Sequence, residues 1–577
     1  MRRIFKYLST FALLAVSFSS HAVDYYVSAT GNDDANDGLS ISKPFLTIQH
    51  AADLTIPGDV VNVLNGTYRT NAGGDTIVTI ARSGAPNRWI TYRAYPGHRP
   101  RLESKGWAAI GVSGAAYIVV EGFELIGNAG NITRAYALAQ KNNINNPLTS
   151  GNGIAIVYLF ENPSLRSHHV IVRGNRVSKF GGGGIYTYQA DYVTIEDNVV
   201  FENGFWSPYA NSGISLYQNW NSDGVTGYKF FIRRNVTYRN RNYVPFFASN
   251  PDPNKTVITD GNGIIIDDTR NTQNKSVLGV YKGRTRVENN IAYENGARGI
   301  HVFSSDHVDI VNNTAYKNSQ SPETPDGDLT AFDASDVTFV NNIAYALSSR
   351  PTIQTGNATQ ISIDYNVFFN GATLATLGGN NIIGQNPLFA NESARDFHVL
   401  TGSPAIDTGT ITRAAQEDFE KRVRPQGANV DRGAFEVAMS GGNEIVLDNL
   451  AVGQRDVTRS FTGAWCQSVA TNKYGSNSLY SCGTAADTYR WTPNLPKAGK
   501  YQVYVWWASN PNRSTRVPLT VVSTNGPVSK IVDQKTSGGS WILHGAYSFN
   551  AGINGYVEVG DANGQAGADA VRFVPVP

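Results

Sequence analysis

Between residues 170 and 370 the chain repeats one short pattern of apolar and polar positions: VIVRGNRV, VTIEDNVVFEN, FFIRRNVTYRN, TRVENNIAYEN, VDIVNNTAYKN, VTFVNNIAYA and ISIDYNVFFN. Each copy alternates and then reaches an asparagine, at Asn175, Asn198, Asn235, Asn290, Asn313, Asn342 and Asn366. A period of two marks β-strands. The shortest step between asparagines is 23 residues (175 to 198, and 290 to 313), too short for a helix-turn-helix unit but enough for three short strands and their turns. One such unit cannot bury its own apolar face, so copies must stack, and the expected architecture is all-β: a right-handed parallel β-helix. A second column, Asn203, Asn240, Asn295, Asn318 and Asn370, follows in the same coils. Asn tolerates left-handed backbone angles at tight turns and can hydrogen-bond from coil to coil, so both columns are expected to be structural ladders without a catalytic role.

The same alternation orients side chains. Gly-Ile pairs at Gly153-Ile154, Gly184-Ile185, Gly213-Ile214, Gly263-Ile264 and Gly299-Ile300, followed by Asp328-Leu329, align one strand of each coil. The Ile and the residue two further on (Ile156, Thr187, Leu216, Ile266, Val302, Ala331) should point inward, and the residues between should face solvent. The outward columns are then Ala155, Tyr186, Ser215, Ile265, His301, Thr330 and, beside it, Val157, Tyr188, Tyr217, Asp267, Phe303, Phe332. Stacked parallel strands lie about 4.8 Å apart, which would bring Tyr186, Tyr188, Tyr217, Asp267 and His301 into one patch. Coil spacing swells to 37 residues between Asn198 and Asn235 and to 55 between Asn235 and Asn290, and long insertions in a solenoid build binding walls. Trp206, Tyr209 and Trp220 fall in these stretches and offer flat apolar faces for sugar rings, although ordinary loop packing would use them equally well.

The segment TDGNGIIIDD, residues 259–268, places Asp260 before a strand and Asp267 and Asp268 at its end, near His301. Three carboxylates on one coil suit two chemistries. In a lyase acting on uronic acids they would hold Ca²⁺, which neutralises the substrate carboxylate and eases removal of the C5 proton. In a glycosidase one carboxyl would protonate the leaving oxygen while another activates water or attacks the sugar. The bland alternative has Asp260 capping a turn and Asp268 in solvent. The candidate catalytic residues are Asp267, Asp268, His301 and Arg298; Tyr186, Tyr188, Trp206, Tyr209, Tyr217 and Trp220 are candidate substrate contacts, and Asp260, Asp267 and Asp268 candidate metal ligands.

The ends and the composition bound the setting. MRRIFKYLSTFALLAVSFSSHA joins Arg2, Arg3 and Lys6 to an apolar run and a small-residue pair, Ser20 and Ala22, the pattern of a signal peptide over residues 1–22 cleaved near Ala22. Neither this run nor any later one reaches the roughly 20 residues of a membrane span, so a secreted or periplasmic monomer is expected. Cys466 and Cys482 are the only cysteines in the 577 residues; an oxidising compartment would let them pair, though their spacing does not require it. A net charge of +2 without a basic run gives no electrostatic case for nucleic acid.

Three segments carry family resemblances. Tyr25 to Gly31, Asp33, Asp37-Gly38, Pro44-Phe45, Thr47-Ile48, Pro57-Gly58-Asp59 and Gly66-Thr67-Tyr68 resemble the N-terminal segment of secreted β-helix proteins, pectate-lyase-like polysaccharide lyases among them. In that segment a helix over Thr47–Leu54 would cap the stack. NPLFANESARDFHVLTGSPAIDTGT and VRPQGANVDRGAFE resemble the end segment of bacterial β-helix proteins. After a Gly-rich joint at 440–443, Asp448-Asn449, Phe461-Thr462-Gly463, Trp465, Arg490-Trp491-Thr492-Pro493, Ala498-Gly499-Lys500-Tyr501, VYVWW, Gly538-Gly539-Ser540-Trp541 and Ala568 to Phe573 resemble the golvesin-like module that accompanies xanthan lyases. The expected layout is thus a β-helix over 23–439 and a β-sandwich over 444–577. The β-helix lyases with comparable calcium-aspartate sites use a lysine base; TDGNGIIIDD has no lysine on its strand, leaving His301 or Tyr188 as proton acceptor with Arg298 assisting. The resemblance implies an extracellular polysaccharide lyase acting on an acidic glycan. A β-helix glycoside hydrolase with paired aspartates and a non-catalytic glycan-binding or surface-structural protein are the alternatives, because one fold hosts many functions.

Overall fold

The computed structural model describes residues 22–70, 74–247, 257–437, 444–483, 486–495, 497–561 and 564–576. The expected leader, apart from Ala22, and the joint at 440–443 lie outside the described residues. The chain forms two compact units, Met1–Glu436 and Val437–Pro577.

Among the described residues the first unit contains three parallel sheets whose strands recur in turn. A ten-stranded sheet runs from Val78–Ile80 to Thr373–Leu374, an eleven-stranded sheet of mostly six-residue strands from Asp24–Val27 to Thr359–Asp364, and an eleven-stranded sheet of short strands from Thr67–Arg69 to Ile382–Ile383. One coil reads Ile300–Phe303, Asp306–Val311, Thr314–Tyr316, each strand pairing in register with its counterpart in the next coil. The inward residues Ile154, Ile185, Ile214, Ile264, Ile300 and Leu329, and Thr187, Leu216, Ile266, Val302 and Ala331 two places on, are fully buried. The helix Ile48–Leu54 is N-capped by the Thr47 side chain, and its Ile48, Ala51 and Ala52 join the solenoid core.

The asparagine columns are ladders, with two differences from expectation. Each ladder residue donates its Nδ2 and its backbone N–H to the Oδ1 of the next, from Asn175 through Asn198, Asn235, Asn290, Asn313, Asn342 and Asn366 to Asn381. The left-handed residue, however, is the one before it: Gly174, Asp197, Arg234, Asn289, Asn312, Asn341 and Tyr365 all have φ between 53° and 65°. The turn needs a left-handed residue to reverse direction and then an inward amide to satisfy the carbonyls so exposed, and two adjacent residues divide these tasks. The second column runs Asn203, Asn240, Asn295, Asn318 and ends on Asp328, whose Oδ1 accepts from Asn318 Nδ2 at 2.7 Å. Asn370 departs from it, being left-handed itself and donating to Ala346 O.

The second unit is antiparallel throughout the described residues, with four-, five- and three-stranded sheets. Tyr489, Trp491, Val503, Val505, Leu519 and Val571 share its core. Cys466 and Cys482 are disulfide-bonded.

Candidate functional site

The outer face of the ten-stranded sheet has excursions on both edges. Connections entering it from the short-strand sheet expand at 127–151, 202–213 and 239–263; those leaving it toward the long-strand sheet expand at 158–167, 218–227 and 268–283. The first of these carries two short helices, Arg134–Ala139 and Pro147–Ser150, which alternation does not announce.

Between these insertions the register is the one alternation implies. Ala155, Tyr186, Ser215, Ile265, His301 and Thr330 form one column, and Tyr188, Tyr217, Asp267, Phe303 and Phe332 the next. Tyr188 stacks on Tyr217 with ring centroids 5.5 Å apart, and Tyr158 continues the aromatic row at 5.5 Å from Tyr188. The expectation that everything outward meets solvent fails in the first column: Ser215, Ile265, His301 and Thr330 are buried, His301 only 3% exposed. Neighbouring large groups cover it. Phe303 and Phe332 ring centroids lie 5.7 and 5.5 Å from the imidazole, and the Arg298 guanidinium sits 5.7 Å from the Phe332 centroid.

Burial sets the protonation states. Desolvation, reinforced by the charges of Asp260 and Asp268, pushes the Asp267 carboxyl well above the ordinary carboxylate range. Desolvation also raises the Tyr186, Tyr188 and Tyr217 phenols, with Tyr188 and Asp267 contributing most at Tyr186 and Tyr217 respectively. At His301, desolvation and then the Arg298 charge hold the imidazole well below its usual range, while its Nδ1 shares a 2.7 Å hydrogen bond with Thr330 Oγ1. On this face burial thus favours the protonated forms of the carboxyl and phenols and the uncharged form of the imidazole.

Asp268 has another use. It is the left-handed turn residue of its coil, in line with Gln189, Gln218, Ser304, Asp333 and Asn357, all at φ between 45° and 57°. Its Oδ1 accepts from Thr272 N and Oγ1, its Oδ2 from Gln273 N and Gln218 Nε2, all within 3.0 Å, and it is fully buried. Asp260 accepts from Thr259 Oγ1 and Asn262 Nδ2, both at 2.7 Å. Among the described residues no three His, Cys, Asp or Glu side chains gather as a metal-holding set. Of the candidate ligands Asp260, Asp267 and Asp268, Asp268 is the one whose oxygens are taken up by four protein donors, which leaves it least able to serve Ca²⁺.

Three aromatic candidates pack within the insertions, Tyr209 while remaining 40% exposed. Trp206 Nε1 donates to Ala129 O, and its ring lies 5.7 Å from Tyr243; Tyr209 OH donates to Ile144 O, its ring 5.5 Å from Phe247. Trp220 sits against His168 and the Arg166 guanidinium, around the turn from the tyrosine row. Arg298 Nη1 donates to Thr259 O at 2.6 Å and Nη2 to the Asp326 carboxylate. Asp326, Gln273 and Asn274 escaped the sequence reading. Gln273 Nε2 donates to Asp267 Oδ1 at 3.0 Å and Asn274 Nδ2 to the Tyr217 oxygen at 2.7 Å. The only signal for Gln273 and Asn274 was position, soon after the Asp267 strand in the 268–283 insertion.

Fold and face define a right-handed parallel β-helix protein with insertions at both edges of one sheet. The chain belongs to the Pel9A-like right-handed β-helix family: the sequence model described as "Pel9A-like, right handed beta helix region" matches residues 25–326, 302 of the 577. A general right-handed β-helix region matches 252–403, and a Golvesin C-terminal domain matches 445–575. Xanthan lyase of Bacillus sp. (strain GL1) is 38% identical over 140 residues, 23% of this chain and 15% of that protein. The chain therefore spans only a small part of the length of that curated relative. The solved Paenibacillus xanthan lyase is 32% identical, covering 26% of this chain and 16% of its own at a TM-score of 0.22. The pectate lyase Pel9A structure is 16% identical, covering 72% of this chain and 97% of its own at a TM-score of 0.41.

Proposed function

We propose that the protein is an exported polysaccharide lyase that cleaves an acidic glycan by β-elimination on the outer face of the ten-stranded sheet. Membership of the Pel9A-like family and the 38% identity to part of a xanthan lyase support the class. One observation carries the mechanism: His301, Asp267, Tyr188 and Tyr217 share two adjacent columns in which burial favours the uncharged form of each. Export rests on the pattern of residues 1–22 and agrees with the bonded Cys466 and Cys482.

In β-elimination a base removes the proton on the carbon next to the uronate carboxylate, a double bond forms, and the glycosidic oxygen leaves with a proton. Burial favours the phenol form of Tyr186, Tyr188 and Tyr217, which suits them to donate a proton rather than to accept one. His301 can accept one. It lies under Phe303, Phe332 and Arg298, so the transfer requires those side chains to give way to substrate; with Nδ1–H donated to Thr330 Oγ1, the Nε2 lone pair then receives the C5 proton. The protonated Asp267, oriented by Gln273, donates a hydrogen bond to the substrate carboxylate and withdraws charge as the carbanion develops. Tyr217 or Tyr188 gives its proton to the leaving oxygen, and solvent returns the proton from the imidazolium to the phenolate. With Asp268 taken up by protein donors and no three such ligands gathered among the described residues, no step runs through a metal.

Polygalacturonate, alginate and xanthan should each be incubated with the full chain, with and without chelator, following the ultraviolet absorbance of unsaturated sugar ends. Products carrying only saturated reducing ends would sink the lyase reading and favour a hydrolase.

A further inference from the structure

A second feature of the first unit lies outside the tyrosine row, toward the N-terminal coils. There a groove of about 760 Å³ opens along the exit of the short-strand sheet, lined by Arg69, Arg101, Glu103, Lys105, Asn128 and Lys179 among others. Its charge is one-sided: four cations face one carboxylate, a formal balance of +3. Glu103 bridges the two arginines, at 2.8 Å to Arg69 and 3.0 Å to Arg101, which fixes two guanidinium groups from neighbouring coils while neutralising only one of them. Lys105 and Lys179 have no carboxylate partner among the described residues, and both are exposed. The next two residues of the Arg101 column, Glu124 and Arg176, cancel each other formally, and the acidic residue that follows Lys179 in the next coil is Glu202, whose backbone carbonyl accepts from Lys179 N.

Its position connects the groove to the tyrosine face. Lys105 precedes the exposed Trp107, which leads into the strand Ala108–Ser113 of the ten-stranded sheet; Lys179 precedes the glycine run entering Ile185–Tyr188, the strand of Tyr186 and Tyr188. The far wall, 127–131, is tied by the Ala129 carbonyl to Trp206 in the 202–213 insertion. Arg69, Lys105 and Lys179 stand on separate coils, and coils repeat about every 4.8 Å. Arg69 and Lys105 fall on adjacent coils and Lys179 two coils beyond Lys105, with Asn128 on the coil between, so a linear polymer lying along the solenoid axis meets cations at three of four successive coils, an arrangement suited to spaced single charges on a chain.

We infer that this groove is a subsite for the carboxylates of an acidic glycan, holding sugars beyond the point of cleavage. The inference rests on the lyase reading of the neighbouring face but is tested without turnover. Electrophoresis of the full chain through gels cast with polygalacturonate, with alginate or with a neutral galactan reads binding directly. At least one polyuronate should retard the wild-type protein. The double variant Lys105→Glu/Lys179→Glu should bind that polymer about tenfold more weakly, and the galactan should not distinguish the two proteins. Both side chains are exposed, so the variant's thermal midpoint should match wild type and exclude misfolding. Equal retardation of the variant and wild type by every polyuronate would overturn the subsite, as would retention by galactan to the same degree. The two readings fail separately: lysine-dependent retention without unsaturated ends defeats only the lyase, and unsaturated ends with lysine-independent retention defeat only the groove.

Discussion

Asp267 is the residue on which lyase and hydrolase part company. As a protonated hydrogen-bond donor to a carboxylate it can be replaced by an amide, so Asp267→Asn should keep kcat within about tenfold of wild type while Asp267→Ala loses about 10²-fold or more. A glycosidase acid would lose its proton in both variants, so an inactive Asp267→Asn removes the neutral-donor role. His301 makes a pH prediction whose sign follows from its environment. Only the uncharged imidazole accepts a proton, and burial with Arg298 nearby lowers its titration. The acidic limb of kcat/KM should therefore lie well below pH 6.5, and Arg298→Gln should move it up toward that value; an acidic limb at 6.5 in wild type would contradict the assignment. Tyr186, Tyr188, Tyr217, Asp267 and His301 were legible as one patch because period-two alternation and coil register are local properties. The spent carboxylate of Asp268 was not, because its donors come from residues 218, 272 and 273 and exist only once the chain has turned.

At the scale of the coil, the ladders turn a sequence repeat into stability. Asn235 Nδ2 donates to Ile195 O, Arg233 O and Asn290 Oδ1, and its Oδ1 accepts from Asn198. Asn235→Ala strands these buried groups and should cost about 1–3 kcal/mol, read as a lowered thermal midpoint of the first unit. Asp328 at the end of the second column has the opposite character. Burial raises its carboxyl to about 7, and its Oδ2 finds no partner among the described residues. The native state therefore holds this proton more tightly than the unfolded chain, so the group lowers stability progressively as pH rises from about 4 to about 7. Asp328→Asn can accept the same Asn318 donors without that charge and should raise stability at pH 8 by up to about 4 kcal/mol, read as a higher thermal midpoint, with the gain vanishing near pH 4. A gain that persists at pH 4 would mean that something other than ionisation is responsible. The first column could be read from the letters, but the second ends on Asp328 rather than Asn370, and which residue of each turn is left-handed could not be read, since Gly, Asp, Arg, Asn and Tyr all occupy that place.

Over the whole chain, two separate cores account for two units: an Ile- and Val-rich one in the solenoid and an aromatic one around Tyr489 and Trp491. Calorimetry should resolve two transitions, and Cys466→Ser/Cys482→Ser should lower only one of them, by about 3 kcal/mol for a closed loop of this length; a single transition shifted as a whole would refute independent cores. What the linear order of residues decided is the architecture, the division into two modules and the face that carries the candidate site. A solenoid is built from nearest-neighbour repeats, and a repeat is visible wherever it occurs. Tertiary structure alone decided which polar groups remain available for chemistry and in what protonation state. Those depend on burial and on partners contributed by insertions of irregular length, where no period survives to be read.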